Sequence, residues 1–205
     1  MQFRLSIWGT ILWTALGFLS GSLMFSYWLG RLVGKDVRTV GDGNPGAANA
    51  IKAAGPLIGV TGGVLDFLKG AIPVGAAVGP PWTHGTTSWN WHLVPIAVAP
   101  VLGHLFSPWL AGHGGKGIAV TFGVWAGLTG WEVPSVLGGA CACGKFLLRL
   151  PDAWAVICGF TVSVLFLCIR AGFGALLCAA IVNLGLLIFT HRRELRLGRQ
   201  RGTHH

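Results

Sequence analysis

Three short polar stretches in an otherwise apolar chain carry the residue types that bind anions. The first is Gly41-Asp42-Gly43-Asn44-Pro45-Gly46-Ala47-Ala48-Asn49, with Lys52 following close behind. Glycines let consecutive amides turn toward one point, and a helix starting just afterwards adds its partial positive charge, so the stretch can cradle a phosphate. An ordinary loop fits the same residues, and the stretch alone leaves both readings open. The second is Gly112-His113-Gly114-Gly115-Lys116-Gly117, which runs straight into an apolar segment. Its Gly-Lys pair is followed by Gly117 where a nucleotide-binding loop has Ser or Thr, and no strand precedes it, so ATP or GTP is not expected. Four glycines, a cation and a helix start still suit a phosphate monoester, with the loop amides aimed at the anion. The third stretch is His191-Arg192-Arg193-Glu194. The arginines from Arg192 to Arg201 suit a topology anchor in contact with anionic lipid.

Other ionisable residues sit inside apolar segments. Asp66 and Lys69 lie three apart, so on a helix they share a face and can pair. Leaving either alone in lipid costs on the order of 3 kcal/mol, and a structural pair and a functional role both remain open. His104, in Gly103-His104-Leu105-Phe106, reads as a neutral, satisfied histidine able to cap the second loop. His84, His92, His204 and His205 have no special context. The five cysteines, Cys141, Cys143, Cys158, Cys168 and Cys178, are odd in number and lie in apolar stretches. They read as small buried side chains, and no metal site is assigned.

What must position these residues is a membrane bundle. Of 205 residues 53% are hydrophobic and 10% charged, with mean hydropathy +0.66, whereas about a quarter of the residues of a soluble domain are charged. The expected fold is all-α, a single integral-membrane domain over 1–205 with seven spans, some of them short or broken. These are about Leu5–Gly30, Pro56–Gly79, Trp91–Leu110, Ile118–Gly130, Pro134–Leu148, Ala153–Ile169 and Phe173–Thr190, followed by a basic tail over 191–205. The fourth, Ile118–Gly130, is closer to a half-helix than to a full crossing of a ~30 Å core. Seven spans with the N terminus outside place Arg31, Lys35, Arg38, Lys52, Lys116, Lys145, Arg149 and the tail arginines inside, against Arg4 and Arg170 outside. That bias predicts a cytoplasmic C terminus. The tryptophans fall at predicted span ends, as aromatic belts do. The net charge of +9 points, on so hydropathic a chain, to anionic lipid or a phosphorylated substrate and away from nucleic acid.

Taken together, these motifs resemble the acyl-phosphate:glycerol-3-phosphate acyltransferase family of bacterial membrane enzymes. The resemblance runs nearly the whole chain and rests on Gly21-Ser22, Gly41-x-Gly43-Asn44-Pro45-Gly46-Ala47-x-Asn49, Asp66-x-x-Lys69-Gly70, Gly103-His104, Gly114-Gly115-Lys116-Gly117 and His191. It implies a seven-span protein of the bacterial inner membrane, with its active site facing the cytoplasm and no nucleotide, metal or other cofactor. The implied reaction is attack of the 1-hydroxyl of glycerol 3-phosphate on acyl phosphate, giving lysophosphatidic acid. By the same resemblance Gly41, Gly43, Asn44, Gly46, Asn49, Lys52, Gly114, Gly115, Lys116 and Gly117 bind substrate phosphate, and Ser22, Asp66, Lys69, His104, Asp42 and His113 support them. His191 is the candidate base by residue type, with a substrate phosphate oxygen as its rival.

The chain departs from the family pattern at five positions. Asp42 stands where the family has Ser, Ala48 for Thr, Lys52 for Arg, His113 for Lys and Glu194 for Asn. Asp42 puts a carboxylate in a phosphate nest, where it repels the ligand unless protonated or paired with Lys52 or Arg38. Two further readings follow: a divergent paralogue that binds lipid or a partner without catalysis, motivated by those substitutions, and a small-anion transporter, motivated by the half-helix and by Asp66 with Lys69.

Overall fold

A computed structural model of the chain describes residues 5–79 and 90–201, with side chains as far as residue 196. The expected outer loop over 80–89, with His84, lies outside the described residues, as do Arg4, His204 and His205. Every described regular element is helical, as an apolar chain requires in a solvent that offers its backbone no hydrogen bonds. Five segments are long and apolar enough to cross a membrane: Ile7–Leu32, Pro56–Val78, Leu93–Leu110, Asp152–Ala171 and Ala175–Arg196. The protein is therefore a multi-pass membrane protein.

The first expected span is broken. Helix α1 (Ile7–Ser22), capped by the Ser6 hydroxyl on the Gly9 amide, ends before α2 (Phe25–Leu32) begins. At the break the Leu23 carbonyl, released from helical bonding, accepts from the Lys69 ammonium of α4 (Pro56–Val78). A short helix α3 (Ala47–Ala54) precedes α4, and the two are separated by Gly55 at φ 88°, with Pro56 opening α4. Next come α5 (Leu93–Leu105), with a 3₁₀ turn over Pro108–Leu110, then α6 (Ile118–Thr129), the expected half-helix. Helix α7 (Glu132–Ala142) starts two residues before the expected boundary and closes in a π-helical turn over Cys143–Leu147. Helices α8 (Asp152–Ala171) and α9 (Ala175–Arg201) follow. The basic tail is not a separate segment, because α9 runs through Thr190 without interruption.

Lipid gives helices no hydrophobic drive to associate, so close packing must come from small residues at the crossings. Helix α6 crosses α4 where a Cβ on Gly123 would overlap the Phe67 carbonyl, and one on Gly70 would come within 2.5 Å of the Val120 oxygen. Helix α5 crosses α1 in the same way, with Gly21 against Pro100 and Gly103 against the Phe18 carbonyl. Buried Trp125 and Phe160, their ring centroids 6.1 Å apart, fill the middle of the bundle. Large apolar side chains such as Leu57 and Ile169 lie on the outside, where lipid takes the place of a core. Of the cysteines, Cys143 and Cys158 are exposed and the other three half-buried, with Cys141 and Cys168 packed against the core, so none is fully buried as expected.

Apart from Asp66 and Lys69, which pair within α4, ion pairs lie where helices begin and end. Glu132, the first residue of α7, meets Arg170 at the end of α8, Nε to Oε1 3.0 Å. At the opposite end Lys116 pairs with Glu194, and Lys145 with Asp152.

Candidate functional site

Where the loops meet at the Lys116 end, a pocket of about 700 Å³ opens. The starts of three helices border it: Gly46 to Asn49 at α3, Ile118 and Ala119 at α6, and Pro151 to Ala153 at α8. The first amides of a helix have no intrahelical acceptor and carry its positive dipole end, so three such starts facing one space favour an anion. The α8 contribution was not anticipated from the sequence, although Pro151-Asp152 before an apolar run is a helix-start signal.

The first loop is shaped by its own side chains. Gly41 and Gly43 turn the backbone at φ 60° and 74°, conformations that glycine adopts without penalty. Asp42 Oδ1 accepts from the Asn44 amide at 3.1 Å and from Asn49 Nδ2 at 2.7 Å, and Asn49 Nδ2 also donates to the Asn44 carbonyl at 3.0 Å. Asn49 is buried and acts as the staple of the turn.

The second loop is built differently from the expectation. The amides of Gly114 and Gly115, expected to point at an anion, donate instead to the carbonyls of Leu105 and His104, at 3.0 and 3.1 Å. The loop is thus stitched to the end of α5, and His104 holds it through its main-chain oxygen. The His104 ring packs against Gly115 so closely that any Cβ there would overlap Nε2. Its Nδ1, buried, has no hydrogen-bond partner among the described residues, so the satisfied histidine expected is not observed. Gly117, at φ 86°, turns the chain into α6, whose first-turn amides are the donors left to this loop.

The charges also pair in a way the sequence did not suggest. Asp42 is bound by neither Lys52 nor Arg38. Arg38 pairs with Asp36, Nη2 to Oδ2 2.9 Å, while Asp42 Oδ2 meets the Lys116 ammonium, which also contacts Glu194 Oε1. Burial raises the Asp42 carboxyl's pKa, but hydrogen bonds from Lys116, Asn44 and Asn49 outweigh it and bring the group to about 2. Burial likewise lowers the pKa of Lys116, and the two carboxylates outweigh it to raise it. Lys52 borders the same pocket and makes no ion pair among the described residues.

His191 reaches this pocket from α9 and is almost wholly buried. Its Nδ1 lies 2.8 Å from the Leu187 carbonyl and 3.2 Å from the Thr190 hydroxyl, which itself donates to the Lys116 carbonyl at 3.2 Å. A carbonyl can only accept, so Nδ1 carries the proton and Nε2 is the basic nitrogen. Beneath the loops Asp66 and Lys69 form the expected pair, 2.7 Å apart, with Ser26 Oγ donating to Asp66 Oδ2 at 2.7 Å.

Of the residues singled out in the sequence, Gly41, Asp42, Asn44, Gly46, Asn49, Lys52, Asp66, His104, Lys116 and His191 border the pocket. Gly43, Gly114, Gly115 and Gly117 shape its loops without lining it, and Lys69 lies behind Asp66. Ser22 is a structural tie, its hydroxyl accepting from Trp109 Nε1 at 3.0 Å and its carbonyl from Ser107 Oγ at 2.7 Å. His113 is exposed and turned to the Ala111 carbonyl.

A family model described as glycerol-3-phosphate acyltransferase matches residues 11–199. Glycerol-3-phosphate acyltransferase 1 of Thermotoga maritima is 35% identical over 190 residues, covering 87% of this chain and 92% of its own. A glycerol-3-phosphate acyltransferase of Aquifex aeolicus is 33% identical over 193 residues, covering 87% and 89%. Among solved structures, PlsY, an integral membrane glycerol 3-phosphate acyltransferase, superposes in its glycerol 3-phosphate form with a TM-score of 0.81 at 33% identity, over 91% of this chain and 90% of that one. Its lysophosphatidic acid form gives 0.79 at 30% identity over the same shares.

Proposed function

The chain belongs to the glycerol-3-phosphate acyltransferase family, and from that membership we propose that it transfers an acyl group from acyl phosphate to the 1-hydroxyl of glycerol 3-phosphate, forming lysophosphatidic acid. The observation that carries this reading is a shared pocket in which the starts of α3, α6 and α8 meet Lys52, Lys116 and His191. Both substrates are phosphate anions, and helix N-termini with ammonium groups suit both. In the reaction the acceptor's hydroxyl oxygen forms an ester bond to the acyl carbon, the bond from that carbon to the phosphate oxygen breaks, and inorganic phosphate departs with the electron pair. The hydroxyl proton passes to His191 Nε2 or to a phosphate oxygen of the substrate. Because phosphate is a good leaving group, holding the two substrates together supplies much of the rate.

The same reading sets the protein in the bacterial inner membrane with seven crossings, the N terminus outside and the pocket at the cytoplasmic face. The alternation of ion pairs between the two ends of the bundle supports that count, and the inward excess of lysine and arginine supports the orientation.

The test is direct. Purified protein in detergent, given acyl phosphate and labelled glycerol 3-phosphate, is expected to release labelled lysophosphatidic acid, and His191→Gln is expected to slow release by roughly 10²–10⁴-fold if the histidine is the base. No product above background across lipids and pH would overturn the acyltransferase reading. Full activity in the His191 variant would transfer the proton to the substrate phosphate.

A further inference from the structure

Lys116 borders a pocket that suits phosphates, yet its ammonium is already held by Asp42 from the loop before α3 and by Glu194 from α9. One cation between two carboxylates leaves a local charge of −1. The two carboxylates differ in what they have left to bond. Asp42 is fully used, its Oδ1 accepting from the Asn44 amide and Asn49 Nδ2 while Oδ2 faces Lys116. Glu194 meets Lys116 through Oε1, and its Oε2 has no donor among the described residues. An ionised carboxylate only accepts hydrogen bonds, so it repels a fully ionised phosphate and bonds one that still carries a proton. Such an O–H···O⁻ bond is short and strong, about 2.5–2.7 Å. Glu194 stands where the family pattern has Asn, whose amide can donate to either form.

We propose that Glu194 makes this chain select its phosphate acceptor as the monoanion, with Oε2 accepting the hydrogen bond from the protonated phosphate oxygen. A phosphate monoester loses its second proton near pH 6, so above neutrality the selected form falls about tenfold for each pH unit. Other titratable groups face the same space: Lys52 from α3, Asp152 from α8, where it pairs with Lys145, His191 from α9, and Asp66 and His104 below. On α9 itself Arg193 and Arg196 point away and are exposed. Among these residue types only histidine titrates in the same range as the phosphate, so the test must separate a proton on the ligand from a proton on the protein. That the acceptor is glycerol 3-phosphate rests on the acyltransferase reading, but its binding is measurable without turnover.

The experiment titrates the full-length protein in detergent with glycerol 3-phosphate by calorimetry across neutral pH and, separately, follows acyl transfer over the same range. The dissociation constant and the KM for glycerol 3-phosphate are both expected to rise at least tenfold between about pH 6 and 8. With the phosphonate analogue of glycerol 3-phosphate, whose second proton leaves at higher pH, the rise is expected to begin correspondingly later. A break at the same pH for both ligands would assign it to a histidine and overturn the proposal. Glu194→Gln is expected to flatten the profile and to tighten binding at the alkaline end at least tenfold, whereas Asp42→Asn, which removes the same charge from Lys116 but leaves Glu194, is expected to keep the rise. Equal flattening in both variants would reduce the effect to pocket charge and overturn the role of Glu194, as would a parent protein that binds both ionic forms alike. A rise confined to the KM for acyl phosphate would overturn it too. A protein that binds glycerol 3-phosphate as described but forms no lysophosphatidic acid would overturn the acyltransferase reading and leave this one standing.

Discussion

A carboxylate inside an anion-binding loop is a liability until some group takes its charge, and for Asp42 that group comes from a loop 74 residues further along the chain. The pairing has a pH signature. An aspartate that titrates near 3.8 when unfolded is brought to about 2 in this loop. Because the folded value is the lower one, the pairing stabilises the protein above the unfolded pKa and is lost as pH falls through the folded one. The difference in thermal midpoint between the parent and Asp42→Asn is therefore expected to be constant from neutral pH down to about 5 and to shrink between about 4 and 2. A difference that grew on acidification would show that Asp42 is not held as an ion. Asp36, brought to about 2 by Arg38, titrates in the same window, so the comparison with the variant is what isolates Asp42. That Asp42 needed a partner was legible from its residue type. The choice of Lys116 over Lys52 or Arg38 was not, because local sequence distance favours the wrong candidates.

At the scale of elements, glycines carry two different duties that sequence pattern alone does not separate. Gly115 is small because the His104 ring lies against it, and Gly123 because α4 passes there. Gly139, on α7, has nothing within 4 Å of a Cβ. Gly123→Ala is expected to lower the thermal midpoint in detergent by overpacking that costs on the order of 1–3 kcal/mol. Gly139→Ala is expected to be neutral or to gain roughly 0.5–1 kcal/mol from helix propensity. Equal effects at the two sites would refute the crossing assigned to α4 and α6. Gly115→Ala is expected to reduce activity as well as stability, since displacing His104 also displaces the loop that its carbonyl holds; activity retained in a folded variant would free the loop of that constraint. The half-helix α6 was readable from the spacing of loop residues. The break in the first span was not, since Leu23 and Met24 are apolar and the release of a carbonyl becomes favourable through the ammonium of Lys69, 46 residues away.

Across the whole molecule, the ionic contacts alternate between two ends, with Glu132 and Arg170 at one and the pocket at the other. If the pocket faces the cytoplasm, a cysteine at His113 in a background lacking the five native cysteines is expected to react with an impermeant thiol reagent in inverted membrane vesicles and to be silent in intact spheroplasts. A cysteine at Trp131 is expected to show the reverse. The same side for both would remove α6 as a crossing.

Composition and motif order by themselves determined that this is a helical membrane protein of an acyltransferase family, because hydropathy and short glycine motifs are properties of the chain read locally. They also marked most of the residues that border the pocket. Tertiary structure decided which of those residues face a ligand and which serve the scaffold. Amides and ammonium groups have a limited number of bonds to make, and whether a carbonyl of α5 or a carboxylate of α9 claims them first depends on residues brought together from distant parts of the chain. That competition turned Gly114 and Gly115 from expected ligands into stitching, drew Pro151 to Ala153 into the site, and set Lys116 between two carboxylates.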